Sequence, residues 1–253
     1  MNWQDLENEL GLWNVAAEPA EFWLRDDDAI EPTAKLDALL DLCNEFSVPL
    51  ALAVIPKKVN KSLASRLENE AMVTVVQHGF QHINHGKGTD WPGEFQKPRP
   101  HDMMLRELMD GRKILEDLFG RKFFPLLVPP WNKIDLDFIP RLKEAGLAGV
   151  SAYQLSTNAG GDAVRCLNAH CDIIRWKPLP PRFRGEKKCI EDIVEQLEGR
   201  RLGKSESQEP TGYLTHHLDL DEECIQFTRK IFSCTVQGGA KWLSVQQALG
   251  MGD

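Results

Sequence analysis

Hydrophobic positions follow two regimes along this chain. Short apolar runs end abruptly in polar or charged residues, and longer stretches repeat apolar residues every three or four positions. The first run, Glu21-Phe22-Trp23-Leu24, reads as a strand leading straight into Arg25-Asp26-Asp27-Asp28. Pro32 then opens a helix with Leu36, Leu39, Leu40 and Cys43 on one stripe. Pro49 to Ile55 is unbroken apolar sequence, as expected of a strand buried on both faces. A short helix around Leu63 and Leu67 separates it from the strand Met72-Val73-Thr74-Val75-Val76. Residues 86–100 form a polar, Gly- and Pro-rich loop carrying Trp91 and Phe95, after which Met104, Leu108, Gly111, Leu115 and Leu118 mark a helix. The strand Phe123 to Val128, the helix Asp135 to Ala145 stopped by Gly146, and the strand Gly149 to Tyr153 follow. After a Gly-rich turn come the strand Cys171 to Trp176, a helix through Ile190, Ile193, Val194 and Leu197, and the strand Gly212 to His217. A last helix carries Ile225, Thr228, Ile231, Phe232 and Thr235. About seven strands alternating with helices predict an α/β fold, a parallel sheet wound as a barrel or an open sheet. No linker, repeat or low-complexity segment divides it, so residues 1–253 are expected to be a single domain.

Composition narrows the function classes. The chain has 253 residues, 42% hydrophobic and 27% charged, as in ordinary globular proteins. A net charge of −8 speaks against nucleic acid and anionic membrane as partners. The acidic N-terminus lacks a secretory pattern and no apolar run reaches membrane-spanning length. Six cysteines without a CxxC pair are expected to be reduced, partly buried thiols in a cytoplasmic protein.

Candidate chemistry collects where predicted strands end. Asp26 to Asp28 follow strand one, His78 follows strand three, Pro129-Pro130-Trp131-Asn132 follow strand four, Trp176 ends strand six, and His216 and His217 end strand seven. In parallel α/β folds the strand C-terminal ends share one face, where active sites form. Three adjacent carboxylates repel one another and call for a cation; Arg25 supplies part and a divalent metal would supply more. A helical turn after His78 would place His78, His82 and His85 at i, i+4 and i+7 on one face, where two imidazoles suit one metal ion. An Asp with two histidines leaves coordination positions open, as catalytic sites require. His85, His101 and His170 are expected to be structural or pocket-lining.

These motifs resemble the polysaccharide deacetylase (NodB-homology) family: an Asp-Asp pair (Asp27-Asp28), an HxxxH (His78, His82), a Pro-Pro-aromatic segment (Pro129-Pro130-Trp131), a DW-like segment ending at Trp176, and a final LxH (Leu214-Thr215-His216). The resemblance runs from about Phe22 to Leu243, and it implies a deformed (β/α)7 barrel-like catalytic domain with its core at about 20–247. It implies a metal-dependent amidohydrolase that removes an N-acetyl group from an amino sugar, acting on a small or oligomeric N-acetylated carbohydrate, with one divalent ion, zinc first. Asp28, His78 and His82 would hold the metal, Asp27 would be the base, His216 the acid with His217 its rival, and the Trp131 backbone an oxyanion donor. Trp176, Arg25, Pro130, Asn132, His217 and Asp172 would line the substrate site. The chain departs from the family in three places. Val128 replaces an Arg that pairs with the base, and Arg25 or Arg175 is offered as its substitute. Arg175 replaces the Asp that orients the acid, and Asp172 or Asp219 is offered for it. Ala29 stands where Gly is usual. These departures suggest a divergent branch with a smaller or different substrate. A cyclic amide or imide hydrolase, or a non-catalytic carbohydrate binder, is the alternative.

Overall fold

A computed structural model describes residues 1–16, 18–86, 92–156, 158–204 and 208–251. In chain order its strands are β1 (Glu21–Ala29), β2 (Leu50–Val54), β3 (Val73–His78), β4 (Phe123–Val128), β5 (Gly149–Ala152), β6 (Arg165–Asn168), β7 (Cys171–Asp172), β8 (Ile174–Arg175), β9 (Arg182–Phe183), β10 (Thr211–Thr215) and β11 (Lys241–Leu243). The helices are α1 (Trp3–Val15), α2 (Ala34–Phe46), α3 (Lys61–Leu67), α4 (His101–Phe119), α5 (Glu186–Arg201), α6 (Glu222–Gln237) and α7 (Val245–Ala248). The chain divides into two compact units. The first holds residues 1–26, 33–50 and 169–253, and the second residues 27–32 and 51–168.

In the second unit β6, β5, β4, β3 and β2 lie side by side in that order. The parallel register sets His78 beside Val128, Leu127 beside Val150 and Ala152 beside Asn168. Its core joins Leu127 and Val150 to Met104, Leu105 and Leu108 of α4 and to Phe138, Ile139 and Leu142, all buried. Each such side chain contributes roughly 1.5–3 kcal/mol by leaving water. The stretch predicted as a helix at Asp135 to Ala145 is a 3-10 run over Leu136–Ala145 with Pro140 inside. Its stop is as expected, with Gly146 at φ 71° capping Leu142 and Lys143.

In the first unit β1 pairs in parallel with β10 on one side and β11 on the other, and β10 pairs with β7. Phe22, Tyr213, Phe232 and Trp242 pack as an aromatic group, the closest rings 4.9 and 5.0 Å apart. Helix α2 buries Leu36, Leu39, Leu40 and Cys43 as its stripe predicts, with Thr33 as its N-cap.

Three sequence expectations are corrected. The segment Arg25 to Asp28, expected to follow strand one, is part of β1, which runs on to Ala29. The single strand expected over Cys171 to Trp176 is β7 followed by β8, and β8 turns back on β9 as an antiparallel hairpin. Strand β6 lies where a Gly-rich turn was expected to lead on. All six cysteines are free thiols. Among the described residues no helix is long and apolar enough to cross a membrane.

Candidate metal centre

The second unit brings Asp28, His78 and His82 together. Strand β3 ends on His78, whose side chain is 2% exposed. No helix follows it, so the convergence of the histidines has another cause than the i, i+4 spacing. Gly79 turns the chain at φ 55°, where a Cβ would lie 2.1 Å from Glu94 Oε2 and 2.6 Å from Pro130 Cδ. Only glycine fits there. His82 itself has φ 56°, and Asp28, Trp131 and Asn132 also lie in the left-handed region, at 73°, 57° and 55°. Four strained non-glycine residues gathered at one cluster are backbone held against its own preference, as at functional sites.

The protonation logic of His78 is fixed by its partners. Its Nδ1 lies 3.0 Å from the Val128 carbonyl oxygen, which can only accept, so Nδ1 carries the proton. In the neutral ring Nε2 is then a lone pair, and it points at Asp28 Oδ1 from 3.1 Å. His82 Nε2 approaches the same oxygen at 3.2 Å. A lone pair facing a carboxylate is repulsive unless a cation lies between them, either a proton or a metal. The three ligand atoms lie within 4.8 Å of one another. Tetrahedral coordination at about 2.0–2.1 Å would set ligand atoms roughly 3.3 Å apart, so a zinc-sized ion fits with little movement. The Val128 carbonyl is the kind of partner that orients histidines where they ligate a metal. Burial raises the Asp28 carboxyl, but protons on the facing His78 and His82 nitrogens, through hydrogen bonds and charge, outweigh it and would hold the group well below the usual carboxylate range; a metal ion in place of those protons would act in the same direction.

Around the triad, the His82 and Trp131 rings pack at a tilt of 49° with centroids 4.3 Å apart, and Pro130 is buried in the turn Pro130–Asn132. Asp27 is buried at 2% exposure. Val128, in the place of the expected Arg, buries its side chain in full while its carbonyl binds both His78 Nδ1 and the Gly79 amide.

The first unit holds the remaining candidates. Asp172 accepts from the Trp176 indole at 2.8 Å and from the Ile174 amide at 2.8 Å, and its Oδ1 lies 3.7 Å from His216 Nδ1. Trp176 stands edge-on to the His216 ring, 4.7 Å between centroids. Of the two carboxylates offered for the missing Asp, Asp172 is therefore the one beside His216. His217 is turned away into the interior, with Nδ1 2.5 Å from Asp26 Oδ1, while the Thr215 hydroxyl donates to Asp26 Oδ2 at 2.6 Å. Arg25 is fully buried within β1. Arg175 lies in β8, facing Arg182 across the hairpin.

The other histidines have structural settings. His170 Nδ1 accepts from the Gly212 amide, and His101 starts α4 against Asp135 and the Phe138 ring. His85 is half-buried and outside the triad. Phe95 is wholly buried against Phe138, and Trp91 lies outside the described residues. Glu94, fully buried, escaped sequence reasoning because its partners are backbone amides, which leave no mark in a sequence.

No protein-family model matches the chain, and no curated protein does. Solved structures do. A peptidoglycan N-acetylglucosamine deacetylase, Bc1960, in complex with 4-naphthalen-1-yl-N-oxidanyl-benzamide, is 17% identical at TM-score 0.57, over 92% of this chain and 90% of that one. A family 4 acetyl xylan esterase from Clostridium thermocellum, in complex with a cobalt ion, is 13% identical at TM-score 0.56, over 92% and 93%. A CE4-family pseudoenzyme, solved as a mutant with restored enzymatic activity, is 14% identical at TM-score 0.58, over 91% and 68%. The chain has the fold of these polysaccharide deacetylase structures, the deformed (β/α)7 barrel that its motifs implied.

Proposed function

We propose that the chain is a divergent polysaccharide deacetylase, a metal-dependent hydrolase that releases acetate from an N-acetylated amino sugar or a related small carbohydrate. The observation that carries this reading is His78 Nε2 and His82 Nε2 meeting one Asp28 oxygen while His78 Nδ1 is tied to the Val128 carbonyl. Asp28, His78 and His82 would hold the ion, and a two-nitrogen, one-oxygen donor set makes zinc the first candidate. When bound, such an ion supplies Lewis acidity, polarising the acetamide carbonyl and acidifying water.

The chain's own residues do the rest. Asp27 is the general base that removes a proton from the attacking water. The Trp131 backbone N–H donates to the oxyanion that forms on the acetyl carbon. His216 gives a proton to the departing amine nitrogen as the carbon–nitrogen bond breaks, leaving acetate and a free amine. Asp172 orients His216, and Trp176 is the apolar wall beside it. Pro130 and Asn132 are assigned to substrate contact on the motif resemblance; Arg25, expected in that group, is fully buried within β1 and is not assigned to it. His217, expected in that group, is given an interior role with Asp26. The peptidoglycan N-acetylglucosamine deacetylase and the acetyl xylan esterase among the similar structures support an acetylated carbohydrate as substrate.

A non-catalytic binder is the second reading, favoured by Arg175 in place of the orienting Asp and by the pseudoenzyme among the similar structures. Metal analysis with acetate release from a panel of small N-acetylated sugars separates the two, with a cyclic imide included in the panel. About one zinc-like ion per chain and acetate release are expected. Asp27→Asn should keep the ion and lose roughly 10²–10⁴-fold in rate. A metal-free protein whose melting ignores chelators sinks the metal reading, and full activity in Asp27→Asn removes that residue as base.

A further inference from the structure

The two histidine ligands are joined by Gly79-Phe80-Gln81, and this linker has no helix or strand to hold it. Every one of its backbone amides is nonetheless bound. The Gly79 amide donates to the Val128 carbonyl at 3.0 Å, the Phe80 amide to Glu94 Oε2 at 3.1 Å and the Gln81 amide to Glu94 Oε1 at 2.7 Å. Two of its carbonyls are held as well: Gly79 oxygen accepts from Gln77 Nε2 at 3.0 Å, and Phe80 oxygen from the Lys57 amide at 2.9 Å. Glu94 is 0% exposed, a position where a carboxylate is costly unless fully hydrogen-bonded. It is fixed from behind by Arg99, whose guanidinium donates to the Glu94 carbonyl at 2.9 Å and to Glu107 of α4 at 2.7 Å.

We propose that Glu94 is a positioning residue for the metal centre, presetting the distance and angle between His78 and His82 through the two amides between them. The inference rests on the proposed metal role of Asp28, His78 and His82. A loop between two ligands is free to sample conformations in which the imidazoles diverge, and each such conformation lowers the apparent affinity for an ion. A carboxylate is suited to the task because each of its oxygens accepts one amide of the linker. A carboxamide is not, since its nitrogen presents hydrogen to an N–H donor. The chain therefore invests a buried charge outside the ligand set to hold the geometry of that set.

The test is titration of chelator-treated protein with zinc, and with cobalt followed by absorption, beside the thermal melt of the metal-free form. Glu94→Gln should weaken zinc binding by about 10–100-fold, the range for groups that orient ligands, and alter the cobalt spectrum. The metal-free form should melt lower as well, because one linker amide loses its acceptor, so the altered cobalt spectrum is the readout that a merely structural role would not move. Arg99→Met, which loosens Glu94 from behind and leaves both amide acceptors in place, should weaken binding by a smaller factor. Should Glu94→Gln not fold, Arg99→Met decides: weaker binding supports the proposal and parent-like binding overturns it. Glu94→Gln binding zinc within twofold of the parent also overturns it, provided His78→Ala has lost the ion. If His78→Ala still binds like the parent, it is the metal reading that has failed instead.

Discussion

Two histidine–carboxylate groups in this protein use the same chemistry to opposite ends. In the second unit Asp28 faces two histidines through one oxygen at 3.1 and 3.2 Å, and the Asp28 side chain keeps 26% of its surface open. In the first unit Asp26 meets His217 at 2.5 Å and Thr215 at 2.6 Å, both carboxylate oxygens are used, and Asp26 and His217 are buried. The Asp26 group is closed: a donor already satisfies each carboxylate oxygen. The Asp28 group is open: the Val128 carbonyl holds the His78 proton on the far side of the ring, so acceptors face one another. Residue types alone do not separate a metal site from a structural pair. The partner on the other ring nitrogen does.

The contrast predicts that the two groups fail differently. The largest effect is on metal binding: Asp28→Asn, chosen because Asn tolerates the left-handed backbone at φ 73°, should weaken zinc affinity by more than about 100-fold, beyond what losing an orienting group costs. The metal-free Asp28→Asn protein should melt close to the parent. Calorimetric titration and a chelator-treated melt measure both, and parent-like zinc binding would remove Asp28 from the ligand set. The next effect is on folding. Asp26→Ala leaves His217 and Thr215 buried without their acceptor and should cost about 3–5 kcal/mol in urea unfolding, the range for breaking a buried pair. The chain should still carry one ion under native conditions. A loss below about 1 kcal/mol would show that the Asp26 group is not closed in the sense argued here.

Much of this was readable beforehand. The continuous apolar runs announced β2, β3 and β4, because strands flanked by neighbours on both sides cannot carry polar side chains cheaply. The motif resemblance placed Asp28, His78 and His82 together, across fifty positions between Asp28 and His78. What misled was local pattern. The spacing of His78 and His82 fits a helical face, but Gly79 and His82 at positive φ achieve the same convergence without a helix, and periodicity cannot see backbone sign. The run Arg25 to Asp28 reads as lying past the end of its strand because the apolar residues stop at Leu24. It is strand because Asp26 finds Thr215 across the ladder, its β1–β10 partner, and His217 beyond it. Long-range satisfaction of that kind is invisible to any window of sequence.

The smallest effect belongs to Trp131, and it sharpens where the open group ends. The Trp131 ring lies 4.3 Å from that of His82, and His82, 22% exposed, is the proposed ligand less enclosed by protein than His78. An aromatic pair of this kind contributes about 0.5–1.5 kcal/mol beyond burial, which corresponds to roughly two- to tenfold in affinity if it is spent holding His82 in place. Trp131→Ala should therefore weaken zinc binding by that factor. Trp131→Phe, which keeps a ring face at φ 57°, should recover most of it. Its assigned part in catalysis runs through the backbone N–H, which both variants retain. Once zinc is saturating, acetate release should then fall far less than in Asp27→Asn, and a collapse of the rate at saturating zinc would mean that the indole itself touches substrate.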